Sequence, residues 1–200
     1  HNMSGMKLIR EWYEGDMLGE VNEIHAWTGR TSTNVSNAKT KLPGEPVPAT
    51  LDWDLWLGPA KYTAYNAALC PSWRWWWDYG LGGLGDIGCH TLDIPTYAMG
   101  LGYPSSVHVD NSINYRKEFD GGQAKKDAAT FVYKFPREGK PPVTLYWYEG
   151  GNLPRLPTAL QNPSDPRHIL RGGCLLVGEK NSLYSPGMRP DSPRLVDNWE

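Results

Sequence analysis

The residues best suited to chemistry lie near the middle of the chain, where Asp86, His90 and Asp93 follow a glycine-rich approach. If residues 84–101 are helical, the spacing of these three positions places their side chains on one face. An imidazole accepts a proton near neutral pH, and a carboxylate one turn away orients it and stabilises its charged form. The spacing therefore predicts an acid/base pair of Asp86 and His90, with Asp93 beside it as a substrate-binding candidate. A purely structural Asp86–His90 bond fits the same spacing equally well.

A dense group of tryptophans precedes this stretch: six of the ten in the chain lie between positions 53 and 77. Buried aromatic side chains hold loops in place, since each removes about 150–250 Å² of surface from water. A flat ring face also suits the C–H face of a sugar, and we expect both roles, with Trp76 and Trp77 as substrate-binding candidates. Arg74 could stack on a ring and bind hydroxyl or carboxylate oxygens with its planar guanidinium. A structural ion pair between Arg74 and Asp78 is the alternative.

The segment from Gly83 to Gly88 also matches the pattern G-x-G-x-x-G, and Asp110 follows at about the spacing of a ribose-binding acid. A dinucleotide site of this kind requires a buried parallel strand immediately before the glycines. The preceding sequence is WRWWWDY, and the chain lacks a series of alternating strands and helices. We therefore expect no cofactor-binding residues in this chain.

The composition argues against several classes of partner. The chain carries 20 basic and 22 acidic residues with no basic run, which favours neither a nucleic acid nor an anionic membrane surface. No apolar run approaches the ~18 residues of a membrane helix. The three cysteines, Cys70, Cys89 and Cys174, lack the spacing of a disulfide framework or a metal site, so we expect no metal.

Hydrophobic periodicity predicts one domain with both helices and strands. Helical spacing covers residues 3–14 and ends at Gly15, and a second short helix over 51–58 has Asp52 as a candidate cap. The period-two segments lie at 20–28, 105–115, 128–135, 143–148 and 173–184. Short links make neighbouring strands antiparallel. Residues 29–72 form a long, loop-rich excursion, and residues 186–200 show no periodic pattern.

Four segments, in this order, resemble the C-terminal domain of the glucose-fructose oxidoreductase, inositol dehydrogenase and rhizopine-catabolism (Gfo/Idh/MocA) family, in its bacterial long-loop branch. They are GEVNEIHAWT at 19–28, PATLDWDLWLGPA at 48–60, WRWWWDYG at 73–80 and LGDIGCHTLD at 84–93. The similarity extends over essentially the whole sequence. It implies an α+β fold, with an open, mainly antiparallel β-sheet and helices on one face, that binds a small sugar-like substrate and forms homo-oligomers. It also implies that Asp86 and His90 are the catalytic dyad.

The resemblance further implies that residues 1–200 are the substrate domain of an NAD(P)-dependent oxidoreductase acting on a sugar, a cyclitol or a derivative. The family's nucleotide-binding half has no counterpart in this sequence. We therefore expect a fragment that binds no NAD or NADP by itself and is inactive alone. An NAD-dependent glycosidase of the same fold and a non-catalytic carbohydrate-binding or assembly domain are the alternatives. The compartment, cytoplasm or periplasm, stays open.

Self-association is predicted from the sheet as well. With helices on one side only, the other face would present Tyr146 and Tyr148, or Trp147, to water. A contiguous apolar patch of this kind usually marks an interface.

Overall fold

A computed structural model describes residues 3–29, 42–76, 78–110, 128–157, 160 and 171–197. The helices are α1 (Ser4–Glu14), α2 (Trp53–Leu57), α3 (Leu69–Ser72), α4 (Cys89–Thr91) and α5 (Asp93–Met99), with a 3-10 turn at Trp73–Trp75 and a π-helical turn at Leu84–Gly88. The strands are β1 (Val21–Trp27), β2 (Ser106–Val109), β3 (Ala129–Arg137), β4 (Lys140–Glu149), β5 (Gly173–Gly178), β6 (Asn181–Pro186) and β7 (Arg194–Asp197). The predicted continuation of β2 over 111–115, and the site residue Trp77, lie outside the described residues.

The seven strands form one open sheet in the order β2-β3-β4-β1-β5-β6-β7. Neighbouring strands are antiparallel except β1 and β4, which run parallel with Ile24 opposite Leu145. The predicted α+β fold with an open, mainly antiparallel sheet is confirmed. The parallel pair at its centre was not predicted, and neither was β7, which lies in the segment without a periodic pattern.

Local sequence signals explain where the first two helices begin and end. At the end of α1, the Gly15 N–H bonds the Glu11 carbonyl at 2.8 Å, and the left-handed conformation that ends the helix falls on Asp16, at φ 56°. At the start of α2, the Asp52 side chain accepts a hydrogen bond from the Leu55 N–H at 3.1 Å. Both predicted ends are confirmed.

The main core lies between the helices and one face of the sheet. Every second side chain of a strand points to this face. Ile24, Leu145 and Leu176 are among them, and they are completely or almost completely buried there. Ile9 of α1 and Ile94 of α5 pack against them, and neither has any exposed surface. This packing fixes α5, and with it the helical segment that carries the candidate site.

The opposite face of the sheet is covered in part by residues 151–157 and 160, which follow β4. Leu153, Leu156 and Leu160 pack there against Tyr148, which is 1% exposed. Trp147 points to the helix side and has no exposed surface. The expectation that Tyr148 or Trp147 faces water is therefore wrong. The chain that follows β4 folds back over Tyr148, and Trp147 lies in the core on the helix side.

The loop-rich excursion has a small core of its own. Trp53 and Leu57 of α2 pack with Tyr65 and Leu69, and all four are buried. Further along the chain, Trp76 is half-buried against the same group. Part of the predicted loop-fixing role of the aromatic residues is thus confirmed. None of the helices in the described part of the chain has the length and apolar character needed to cross a membrane.

Candidate active site

Asp86 lies on the π-helical turn Leu84–Gly88, which is followed directly by α4 and then by α5. The predicted helix over this stretch is confirmed, but its wide first turn was not expected. Such turns occur often at functional sites, because they displace side chains from the regular helical positions. Glycine permits the close packing here: a Cβ at Gly85 would lie 2.6 Å from the Cβ of Leu81.

Arg74 forms an ion pair with Asp86. Arg74 Nε lies 3.0 Å from Asp86 Oδ1, and the two side chains are only 29% and 20% exposed. The same guanidinium lies over the ring of Trp73, with its carbon 5.1 Å from the ring centroid, in a cation–π contact. The ion pair of Arg74 is thus with Asp86 and not with Asp78, the partner considered from the sequence.

A close backbone approach places Arg74 in this position. The N–H groups of Tyr79 and Gly80 both bond the Trp76 carbonyl, at 2.9 and 2.8 Å, and close a tight turn. A Cβ at Gly80 would lie 2.4 Å from the Cα of Arg74, so only glycine fits there. The turn therefore folds the chain back beside Arg74 just before the segment that carries Asp86.

The other predicted site residues occupy different environments. His90 is exposed on α4, four positions after Asp86, and Asp93 is half-buried in the first turn of α5. Trp76 donates a hydrogen bond from its Nε1 to Ser72 Oγ at 3.0 Å, which holds the ring in the small core of the excursion. The structure thus brings Arg74 to Asp86, places His90 on the next helical element, and holds Trp76 in a packed cluster.

A carboxylate that the sequence did not point to lies at the glycine-rich start of this segment. Glu149, at the end of β4, accepts a hydrogen bond from Trp147 Nε1 at 3.0 Å and another from the backbone N–H of Leu84. Partial burial raises the pKa of Glu149, and these two hydrogen bonds oppose that increase. A Cβ at Gly83 would lie 3.0 Å from Glu149 Oε2. The glycine therefore makes room for a carboxylate of the chain itself.

The contact between Glu149 and the glycine-rich segment decides whether the G-x-G-x-x-G pattern could bind a dinucleotide. The described residues before Gly83, 42–76 and 78–82, form short helices and turns, so the motif does not follow a β-strand. The Leu84 N–H, which would face a pyrophosphate in a dinucleotide site, already bonds the Glu149 carboxylate. The segment does not fit a dinucleotide, because a second anion there would meet a like charge. Across the described ranges, no three His, Cys, Asp or Glu side chains are grouped so that they could hold a metal ion.

The fold defines an α+β domain with its helices against one face of an open sheet. The sequence model of the oxidoreductase family, C-terminal alpha/beta domain (Gfo/Idh/MocA), matches residues 5–134, and the chain belongs to this family. The resemblance drawn from the four sequence segments is therefore confirmed. A comparison with curated protein sequences found no match.

Solved structures of similar fold include inositol dehydrogenase homologs and a levoglucosan dehydrogenase. An inositol dehydrogenase homolog from Azotobacter vinelandii complexed with NAD+ is 14% identical, with a TM-score of 0.50, over 98% of this chain and 39% of that one. An inositol dehydrogenase homolog from the same organism, complexed with NADH and myo-inositol, is 16% identical, with a TM-score of 0.47, over 98% of this chain and 38% of that one. A levoglucosan dehydrogenase complexed with NADH and levoglucosan is 14% identical, with a TM-score of 0.47, over 96% of this chain and 40% of that one.

The first of these, with a TM-score of 0.50 at 14% identity, shows a shared fold and nothing more. The chain spans about two fifths of the length of these three solved structures, between 38% and 40%.

Proposed function

We propose that this chain is the substrate-binding, dyad-bearing domain of an NAD(P)-dependent oxidoreductase that acts on a sugar, a cyclitol or a derivative of one. The observation that carries the proposal is the Arg74–Asp86 ion pair, 3.0 Å long and largely shielded from water, on the wide helical turn that precedes His90. A carboxylate has two oxygens and about four acceptor positions, so the pair with Arg74 is compatible with a further bond from Asp86 to His90. Membership of an oxidoreductase family supports the same reaction class.

In this proposal, His90 accepts the proton of the substrate hydroxyl, and the hydroxyl-bearing carbon becomes a carbonyl carbon. Asp86 orients the imidazole and stabilises the charge that it gains. Arg74 restrains Asp86 through the ion pair between its Nε and Asp86 Oδ1. A nicotinamide cofactor supplies the acceptor for the hydride. Since residues 83–88 do not fit a dinucleotide, we place the cofactor site in a further, nucleotide-binding domain outside this chain.

Substitutions of the dyad in the intact enzyme test this mechanism. Asp86→Asn and His90→Asn should each lower kcat by about 10²–10⁴-fold, the usual contribution of a positioned acid or base. Formation of NADH or NADPH with myo-inositol, levoglucosan and glucose provides the assay. If both variants retain full activity, the dyad is not catalytic. Release of nitrophenol from nitrophenyl glycosides without net NADH would indicate the glycosidase alternative.

Arg74→Lys in the same enzyme separates a role in the site from a role in folding. Lysine keeps the charge but cannot hold a carboxylate with a planar fork. A role in the site predicts a lower kcat/KM with a nearly unchanged melting temperature. Unchanged kinetics with a lowered melting temperature would remove Arg74 from the mechanism.

We also propose that the domain self-associates. The described strands offer one exposed apolar patch at a sheet edge: Val107 and Val109 of β2 are 52% and 54% exposed. An edge strand with exposed apolar side chains is a common site of contact between chains. This patch is at a different place from the tyrosine face that the sequence suggested.

A further inference from the structure

A cavity of about 490 Å³ opens between the end of α2 and the turn that follows the 3-10 helix. Three aromatic side chains line it, those of Trp56, Trp73 and Tyr79, together with the carboxylate of Asp78. The rest of the lining is apolar. Its volume lies within the range of about 300–1,000 Å³ that is typical of small-molecule sites.

The walls of this cavity are held in place by contacts within the chain. Trp56 stacks on Trp53, with ring centroids 4.6 Å apart and an angle of 13° between the rings. Tyr79 meets Trp56 edge-on at 5.1 Å. The turn closed by the Trp76 carbonyl brings Asp78 and Tyr79 to the same cavity as Trp73. Because the rings are already packed, a ligand could bind without first ordering them.

The chemistry of the lining selects among classes of ligand. A purely apolar ligand would take the Asp78 carboxylate out of water without a hydrogen-bond donor, which is unfavourable. An anion would meet a like charge. A cation would compete with the Arg74 guanidinium, which already lies over the ring of Trp73. A neutral ring with several hydroxyl groups fits best, because it offers C–H faces to the aromatic rings and O–H donors to Asp78.

The hydroxyl of Tyr79 points to the same class of ligand. This oxygen is buried, and within the described part of the chain it has no hydrogen-bond partner. Buried polar atoms in proteins are nearly always hydrogen-bonded. A ligand rich in hydroxyl groups beside Tyr79 would offer this oxygen a partner.

A residue that lines the cavity is also adjacent in sequence to a residue of the candidate active site. Trp73 lines the cavity, and the next residue, Arg74, reaches Asp86. We infer that the cavity binds the second sugar ring of a substrate whose first ring lies at Asp86 and His90. The position of the first ring rests on the proposed function. The substrate class is therefore a disaccharide or another glycoside, in preference to a free monosaccharide or cyclitol.

Binding measurements without cofactor or turnover test the cavity directly. Isothermal titration of this chain with cellobiose and with methyl β-glucoside compares two rings with one. We expect cellobiose to bind about tenfold more tightly or better, as one additional hydrogen bond to a charged group would give. Asp78→Asn should reduce this advantage, because its amide oxygen still accepts a hydrogen bond but carries no charge. Trp56→Ala should abolish the advantage if that variant folds. Asp54→Asn and Tyr62→Ala are matched controls on exposed residues outside the cavity, and both should retain it.

The outcomes separate this inference from the proposed function. Equal affinity for the two sugars, no sugar binding at all, or an unchanged preference in Asp78→Asn would overturn the inference. Choline binding more tightly than cellobiose would overturn it too, because the cavity would then be a cation site. Oxidation of single-ring sugars in the intact enzyme would leave the proposed function standing in each case. Conversely, a cellobiose preference that depends on Asp78, in an enzyme without oxidoreductase activity, would support the cavity alone.

Discussion

Replacing Gly83 with alanine tests how closely the glycine-rich segment packs against Glu149. The backbone of Gly83 is helical, with φ −64° and ψ −38°, so alanine fits the conformation. Helix propensity alone would stabilise the variant by about 0.5–1 kcal/mol. The added methyl group, however, would lie 3.0 Å from Glu149 Oε2 and 3.2 Å from Thr28 Cγ2.

The carboxylate cannot move away freely, because Trp147 and Leu84 both donate hydrogen bonds to it. Excess volume in a well-packed site usually costs about 1–3 kcal/mol. Combining this cost with the gain in propensity, we expect Gly83→Ala to lose about 1 kcal/mol of unfolding free energy. For a domain of this size, that corresponds to a fall of about 2–4 °C in melting temperature.

Urea unfolding followed by tryptophan fluorescence measures this loss, and Gly88→Ala is the matched control. Gly88 is also helical, but a Cβ there would meet the ends of two leucine side chains, Leu84 at 3.0 Å and Leu92 at 3.6 Å, which can rotate. Gly88→Ala should therefore be neutral or slightly stabilising. A double-mutant cycle with Glu149→Ala isolates the contact, because most of the cost of Gly83→Ala should disappear in that background. Stabilisation by Gly83→Ala, or an equal cost in both backgrounds, would refute the reasoning.

Three further measurements follow from the structure. Burial raises the pKa of Glu149 above its ordinary value of 4.5, so its contribution to stability is complete below about pH 4.5 and is lost as the pH rises through the raised pKa. The glutamine of Glu149→Gln does not ionise. The difference in unfolding free energy, variant minus native protein, should therefore rise between pH 4 and pH 7. Parallel curves of unfolding free energy against pH for the two proteins would contradict this. Asp52→Ala should lower the free energy of unfolding by about 0.5–2 kcal/mol, because the α2 cap is lost. Asp52→Asn should keep most of the stabilisation by the cap. Equal losses for the two variants in urea unfolding would show that the cap is not the cause. Light scattering should detect a dimer or tetramer at micromolar protein, and a strict monomer would contradict the proposed self-association.

Features set by neighbouring residues could be predicted from the sequence. The end of α1 at Gly15 and the cap of α2 by Asp52 depend on residues within one or two turns of the helix end. Strands β3 and β4 follow the period-two pattern, because one face of each is buried. The helical spacing of Asp86 and His90 belongs to the same class of local signal.

The features that were missed depend on contacts between distant parts of the chain. The partner of Arg74 is decided by the turn that ends at Gly80, whereas the sequence suggested Asp78, four positions away. Glu149 ends a strand and precedes two glycines, and nothing local indicates that it meets the N–H of Leu84. Strand β7 is too short to show a period. Residues 151–157 and 160 cover the sheet face that carries Tyr148, and their sequence has no periodic pattern that would have predicted this.

The parallel pairing of β1 with β4 also has a consequence for how the chain folds. His25 and Tyr148 bond each other across this pair although they are 123 positions apart. Synthesis proceeds at about 5–20 residues per second, so β1 waits on the order of ten seconds for the strand beside which it lies. Closing so long a loop before any contact forms is costly, and folding dominated by such contacts takes milliseconds to seconds. We expect the β3–β4 hairpin to form first and to recruit β1, whose apolar edge is open to other chains until then.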